Sequence, residues 1–177
     1  ILVGVDDDQV TIRPLAGTRR RYSDKQTEQE IIDELLSDEK EGAEHIMLVD
    51  LARNDVGRAT ERGTVQVTEL MEIEKYQHVI HIVSEINGKL KKNYSALDAF
   101  KYAFPAGTVT GQTKIRAMEN IEEIETVQQH FYAGRVGFLE FEKYLTSCLA
   151  SRRIVITAAL ALRPAAAWRD SWYVHEP

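Results

Sequence analysis

The sequence predicts an α+β fold, on three observations. Ile31, Ile32, Leu35, Leu36, Ala43, Ile46 and Met47 recur at helical spacing, which predicts one long amphipathic helix ending near Gly57. From Val79 to Ile86 the period drops to two, with Val79, His81 and Val83 on one face and Ile80, Ile82 and Ser84 on the other, as in a strand. Strand and helix signals follow one another without regular alternation, which favours α+β over a doubly wound sheet.

Taken in order, the elements begin with an extended segment at Ile1, and a chain opening on isoleucine is expected to be a piece of a longer protein. Val10 to Arg13 is short and β-branched, and Pro14 to Gly17 closes it with a turn. The long helix follows. Val65 to Val67 and Leu70 to Ile73 read as short strands, and Asn87-Gly88 is a hairpin-turn signal after the strand from Val79. Ser95 with Asp98 makes a capping box ahead of Leu97, Phe100 and Phe104, and Pro105 ends that helix. A further helix starts after Thr113 and is expected to bury Ile115, Met118, Ile121 and Ile124. Val136 to Phe141 and Ile154 to Leu162 read as later strands. No repeat or low-complexity linker divides the chain.

Composition limits the function classes. The 177 residues are of single-domain size, and 44% hydrophobic with 28% charged residues is the profile of a soluble globular protein with a core. A net charge of −6 argues against nucleic-acid binding, although Arg19, Arg20 and Arg21 form a local basic run. The single cysteine, Cys148, excludes an internal disulfide and a cysteine-held zinc, so a reducing cytoplasm is the expected compartment. No apolar stretch reaches the length of a membrane span, and no membrane partner is expected.

The chemistry concentrates in Glu41 to Arg58, EGAEHIMLVDLARNDVGR. Glu41 and Glu44 stand three apart on one helix face and repel unless a cation lies between them. A hard divalent ion such as magnesium suits two carboxylates, because it takes oxygen ligands and keeps water in its remaining positions. A solvated acidic face is the plain alternative. Gly107 to Lys114, GTVTGQTK, looks like a phosphate loop, but its second glycine does not precede the lysine directly, which rejects nucleotide binding. Taken alone, His81 reads as a core histidine, Tyr132 as a half-buried aromatic, Thr108 as a loop residue, and Arg53 and Asp55 as structural ion-pair or helix-end groups.

The blocks PLAGTRRR, DEKEGAEHIMLVDLARNDVGR, GTVQVTELMEIEKYQHVIHIVSEINGKL, FPAGTVTGQTKIRAMENIEEIE and YAGRVGF together resemble the chorismate-binding enzymes, closest to their anthranilate synthase component I branch. The resemblance runs from about Gln9 to Glu140, so residues 1–177 read as part of one catalytic domain, divergent over 145–177. It implies two large β-sheets face to face with helices outside. It also implies conversion of chorismate and ammonia to anthranilate and pyruvate in tryptophan biosynthesis, with a glutamine amidotransferase subunit supplying the ammonia and with homo- or hetero-oligomer assembly. Glu44 matches a magnesium ligand, with Glu41 behind it as an outer or water-mediated ligand. Gly17, Thr18 and Thr108 match donors to the substrate. Tyr132 and Arg152 match groups that hold the enolpyruvyl carboxylate. His81 matches the active-site histidine that assists proton movement at the ring. Both carboxylates are then expected to face a cleft shared with His81 and Thr108.

The chain also departs from the family. Gly111-Gln112-Thr113-Lys114 stands where GAPK is usual, which removes a stiffening proline but keeps Lys114. A glycine turn is expected near Ala165 to Ala167, where there is no glycine, and neither the upstream catalytic glutamate nor the closing helix has a match. The expectation is therefore a partial domain, inactive alone. Aminodeoxychorismate, amino-deoxyisochorismate and isochorismate or salicylate synthesis are the alternatives within the family, and a non-catalytic remnant serving as an interaction domain is the alternative outside it.

Overall fold

A computed structural model of the chain describes residues 2–111, 113–126, 132–141 and 143–150, and the backbone of three short strands beyond them. Strands β1 (Val3–Asp6), β2 (Gln9–Ile12) and β3 (Leu15–Arg20) lead into helices α1 (Lys25–Ser37) and α2 (Glu39–Ala59). Next come β4 (Gln66–Lys75), β5 (Val79–Lys89), α3 (Ala96–Ala103), α4 (Gly107–Thr110) and α5 (Lys114–Ile124). Then β6 (Gly134–Glu140) and β7 (Tyr144–Ala150) pair, while β8 (Val155–Ile156), β9 (Ala161–Arg163) and β10 (Tyr173–His175) form a small separate sheet.

The class is α+β, and one seven-stranded antiparallel sheet organises it. Of the two large sheets implied by the resemblance, the described residues form this one. At its centre β5 takes β4 along one edge and β2 then β3 in succession along the other, with β1, β7 and β6 beyond β2. The break between β2 and β3 falls at Arg13 and Pro14, where proline has no N–H to give a ladder, and the Ser84 N–H donates to the Pro14 carbonyl at 3.1 Å. The chain therefore continues as a strand where a closing turn was expected.

One sheet face is apolar. Val3, Val5, Val10, Ile12 and Ile86 meet Val49, Ala52, Val56 and Ala59 of α2 and Ala96, Ala99 and Ala103 of α3. Ile80 and Ile82 pack against Ile32 and Leu35 of α1. The opposite face carries Thr18, His81, Glu74, Glu69, Glu85, Thr11 and Asn87 as directly paired residues, so it is polar and lies away from these helices.

Several sequence expectations need correction. The long helix is two helices, because Asp38 leaves helical geometry and accepts from the N–H groups of Lys40 and Glu41 as the N-cap of α2. That break resets the phase: α2 buries His45, Leu48, Val49, Ala52, Asp55, Val56 and Ala59, while Ile46 and Met47 are left exposed. Asn87-Gly88 is not a turn but the interior of β5. Gly88 is needed there for closeness, since a Cβ would lie 2.8 Å from both Val56 Cγ1 and Thr60 Cγ2. The two strands expected over 65–73 are one, β4, bulged around Met71. The capping box at Ser95 and Asp98 is present, and both of its reciprocal bonds form. Helix α5 forms but leaves its apolar side uncovered, with Ile115 73% and Ile124 77% exposed.

Gly88→Ala should overpack the contact between α2 and β5 and destabilise the chain by about 1–3 kcal/mol. Urea unfolding should show a lower midpoint at an unchanged slope, and an unchanged midpoint would count against the close approach.

Candidate functional site

Gly17, Thr18 and His81 form one unit. The pairing of β3 with β5 shifts register between Ala16 and Thr18, and the extra residue, Gly17, sits at φ +58°. Only glycine takes that geometry without cost, and a Cβ would also lie 2.9 Å from Leu35 Cδ1. The bulge turns Thr18 onto the polar face opposite His81. His81 Nδ1 lies 3.1 Å from the Gly17 carbonyl oxygen and 3.1 Å from Thr18 Oγ1. A carbonyl only accepts, so in the neutral ring Nδ1 carries the hydrogen. Nε2 then keeps its lone pair and has no hydrogen-bond partner among the described residues. The Tyr76 ring stands edge-on at 5.6 Å, and His81 is only 9% exposed.

The two carboxylates lie across the sheet from this unit. Arg19 pairs with Ile80 and so points to the helix side. Its guanidinium meets Glu34 at 2.9 Å, Asp38 at 3.2 Å and Glu41 at 3.4 Å, and the Glu34 bond above all drives its pKa further up. Glu41 is thus committed to Arg19. Glu44 is exposed and has no ionic or hydrogen-bond partner among the described residues.

Thr108 belongs to α4, which is pressed against α2: a Cβ on Gly107 would lie 2.3 Å from Leu51 Cδ2. With Leu48, Leu51, Ala52 and Asp55, Thr108 lines a cavity of about 50 Å³. Glu44, Leu48, Leu51 and Asp55 follow helical spacing, so Glu44 begins the stripe of α2 on which the Thr108 segment rests. Tyr132 is half-buried in the turn before β6, and Arg152 lies outside the described residues. The structure therefore joins Gly17, Thr18 and His81, and separately lines up Glu44 with Thr108. A cleft common to His81, Thr108 and both carboxylates is not found among the described residues, because strand register sets His81 on the face opposite α2.

Two buried polar groups lie along α2: His45, which the sequence did not single out, and Asp55, which is an ion-pair group as expected but with Lys114 as its partner. His45 is fully buried with Nε2 2.6 Å from Ser84 Oγ, and burial pushes its pKa down, which keeps it neutral. Asp55 takes Lys114 Nζ at 2.8 and 2.7 Å on its two oxygens, while Arg53 pairs with exposed Asp50 at 3.2 Å. Burial lifts the Asp55 carboxyl above its ordinary pKa, against the pull of Lys114. Position on the buried stripe of α2 was the available signal for both residues, once the helix is started at Asp38.

The donor chemistry suits magnesium in part. Glu44 presents uncommitted carboxylate oxygens and fits one ligand position, whereas Glu41, held by Arg19, fits only an outer place bridged by water. No group of three or more histidine, cysteine, aspartate or glutamate side chains could hold a metal among the described residues. The rest of the shell would have to come from water. No described helix is long and apolar enough to cross a membrane.

The model of the chorismate binding enzyme family matches residues 1–167. Anthranilate synthase component 1 of Aquifex aeolicus is 48% identical over 155 residues, covering 88% of this chain and 31% of that protein. The crystal structure of anthranilate synthase component I from Streptococcus pneumoniae superposes with a TM-score of 0.74 at 44% identity, over 84% of this chain and 32% of that one. A 2,3-dihydroxybenzoate-specific isochorismate synthase from Bacillus anthracis gives 0.71 at 28% identity, over 84% of this chain and 39% of that one. The chain spans about a third of the length of the curated relatives it matches.

Gly17→Ala should cost about 1–2 kcal/mol for the left-handed backbone and should release the Gly17 carbonyl from His81. In wild type the imidazole ¹⁵N shifts should report a protonated Nδ1, and in the variant a mixture of tautomers. A wild-type ring protonated on Nε2 would overturn the geometry.

Proposed function

This chain belongs to the chorismate-binding enzyme family, and from that premise we propose that it supplies part of the active site of an anthranilate synthase component I-like enzyme. The reaction is replacement of the chorismate 4-hydroxyl by ammonia, then loss of pyruvate. The ammonia comes from a glutamine amidotransferase partner, and the product feeds tryptophan synthesis in the cytoplasm. The observation that carries the reading is the His81 unit, a histidine fixed through Nδ1 to a backbone carbonyl at 3.1 Å with no partner on Nε2 among the described residues.

That arrangement serves proton transfer. Incoming ammonia must lose a proton and the departing hydroxyl must gain one, so a single nitrogen able to take and give a proton balances the exchange. Gly17 keeps the ring from rotating, and with Nδ1 already turned to it the Thr18 hydroxyl can donate to substrate. Thr108 would offer a second hydroxyl from α4. Tyr132 and Arg152 are assigned the enolpyruvyl carboxylate, where a planar guanidinium suits two oxygens. Glu44, with Glu41 behind it, is assigned to hold magnesium; when bound, the ion supplies Lewis-acid withdrawal of charge through a substrate carboxylate.

The test uses a chimera in which this chain replaces the matching third of the Aquifex aeolicus relative. His81→Met should leave thermal stability nearly unchanged and lower anthranilate formation about a hundredfold or more. Glu44→Gln should severely weaken magnesium-dependent chorismate binding, and Glu41→Gln should do so less. A Glu44→Gln chimera with wild-type magnesium dependence would remove that residue from the site.

The 177-residue chain alone, given chorismate, magnesium and ammonia, should produce no anthranilate fluorescence above the control. Two carboxylates on one helix bind magnesium weakly without further ligands. Clear turnover would show that the site needs less protein than this reading assigns to it.

A further inference from the structure

We propose that Asp55 and Lys114 are a positioning pair that holds the Thr108 segment on α2, an inference that rests on the substrate role assigned to Thr108 above. Residues 107–114 touch α2 at both ends. At one end Gly107 is seated on Leu51; at the other Lys114 Nζ reaches both oxygens of Asp55 at 2.8 and 2.7 Å. Leu51 and Asp55 are one helical turn apart, so the segment spans a single turn of α2 and carries Thr108 between its two supports.

Among the described residues little else anchors the second end. Helix α5, which Lys114 begins, buries none of its residues, and neither α4 nor α5 has a side-chain N-cap. The ion pair is well shielded, with side chains 13% and 10% exposed, so it has the directional strength that a surface pair lacks. The other charges facing Asp55 are Arg58 and Arg135, both cationic. Arg135 makes no direct bond to Asp55: its Nη2 donates to the Ala103 carbonyl, its guanidinium lies 5.1 and 5.2 Å from the Phe100 and Phe104 rings, and its Nε and Nη1 have no hydrogen-bond partner among the described residues. Only Lys114 binds the carboxylate directly among the described residues.

Amide hydrogen exchange on this chain tests the pair without needing chorismate. The N–H groups of Val109, Thr110 and Gly111 bond back to Ala106 and Gly107, so they report whether α4 is held. Lys114→Met and Asp55→Asn should each speed their exchange about tenfold or more while the amides of β5 stay as in wild type. Lys114→Arg, which keeps charge and reach, should restore protection to within about twofold. If the single variants fail to fold, Asp55→Leu/Lys114→Met removes both partners of the pair together and should fold with α4 still loosened, because apolar contact lacks the fixed direction of the ion pair. Unchanged exchange at 109–111, or equal loosening of β5, would overturn the proposal. Titration with chorismate and magnesium then separates the two ideas. Weaker binding in Lys114→Met supports the positioning role, and equal binding to both forms overturns it. No binding even to the chimera carrying wild-type residues would overturn the functional reading, while the exchange result still judges the pair.

Discussion

The candidate site depends on how closely α2 lies against the sheet. Gly88 lets Val56 and Thr60 come within contact of the β5 backbone, and alanines at 52 and 59 keep the helix low over β2 and β5. His45 then drops onto Ser84 at 2.6 Å, and the same hydroxyl accepts the Met71 N–H at 2.9 Å, so one oxygen ties the helix to two strands. Met71 sits at φ +56° in the bulge of β4, a geometry that a non-glycine residue keeps only where its surroundings hold it. Glu41, Glu44, Leu51 and Asp55 all ride on this helix. A change in its height or rotation would move every one of them together.

Much of this was legible in the sequence, and the failures share a physical cause. The period-two stretch from Val79, the capping box at Ser95 and the α+β class were local signals, and local signals survive folding. The helix through residues 31–57 was read as continuous because its apolar spacing is nearly continuous, and the cap at Asp38 that resets its phase is a single side chain. Asn87-Gly88 has the composition of a turn, yet the glycine answers to a neighbour more than twenty residues away in sequence. Ile115 and Ile124 read as core by spacing alone, but spacing says which residues share a face and not whether anything covers it. His45 was missed for the converse reason, since its burial depends on the phase that the break supplies, and Asp55 was legible as an ion-pair group while its distant partner Lys114 was not.

The electrostatics also divide the two glutamates that the sequence presents as a pair. Like charges three apart on a helix need a cation, and for Glu41 that cation is Arg19, which it shares with Glu34 and Asp38. Three carboxylates around one guanidinium are already neutralised in part, so a metal gains least by displacing Arg19. Glu44 has no such partner among the described residues. On the proposed magnesium role, Glu44 with its uncommitted carboxylate would be the direct ligand and Glu41, held by Arg19, an outer one.

The two groups of candidate residues meet at β3. Thr18 and Arg19 are consecutive, so their side chains leave the strand on opposite faces, one to His81 and the other to Glu41. Arg19 Nη1 also donates to the Thr18 carbonyl at 3.2 Å, which couples the two residues directly. β3 ends the strand order of the sheet beside β5, so its far side is not occupied by another strand among the described residues. Placing the Gly17 bulge immediately before Thr18 sets Thr18 opposite the histidine. Without it Gly17 would stand opposite His81, Thr18 opposite Ile80 on the helix side and Arg19 opposite Val79 on the polar face, which would take the hydroxyl from the ring and strip Glu41 of its cation. The short run Ala16 to Arg19 thus sets the chemistry of both faces through one left-handed residue.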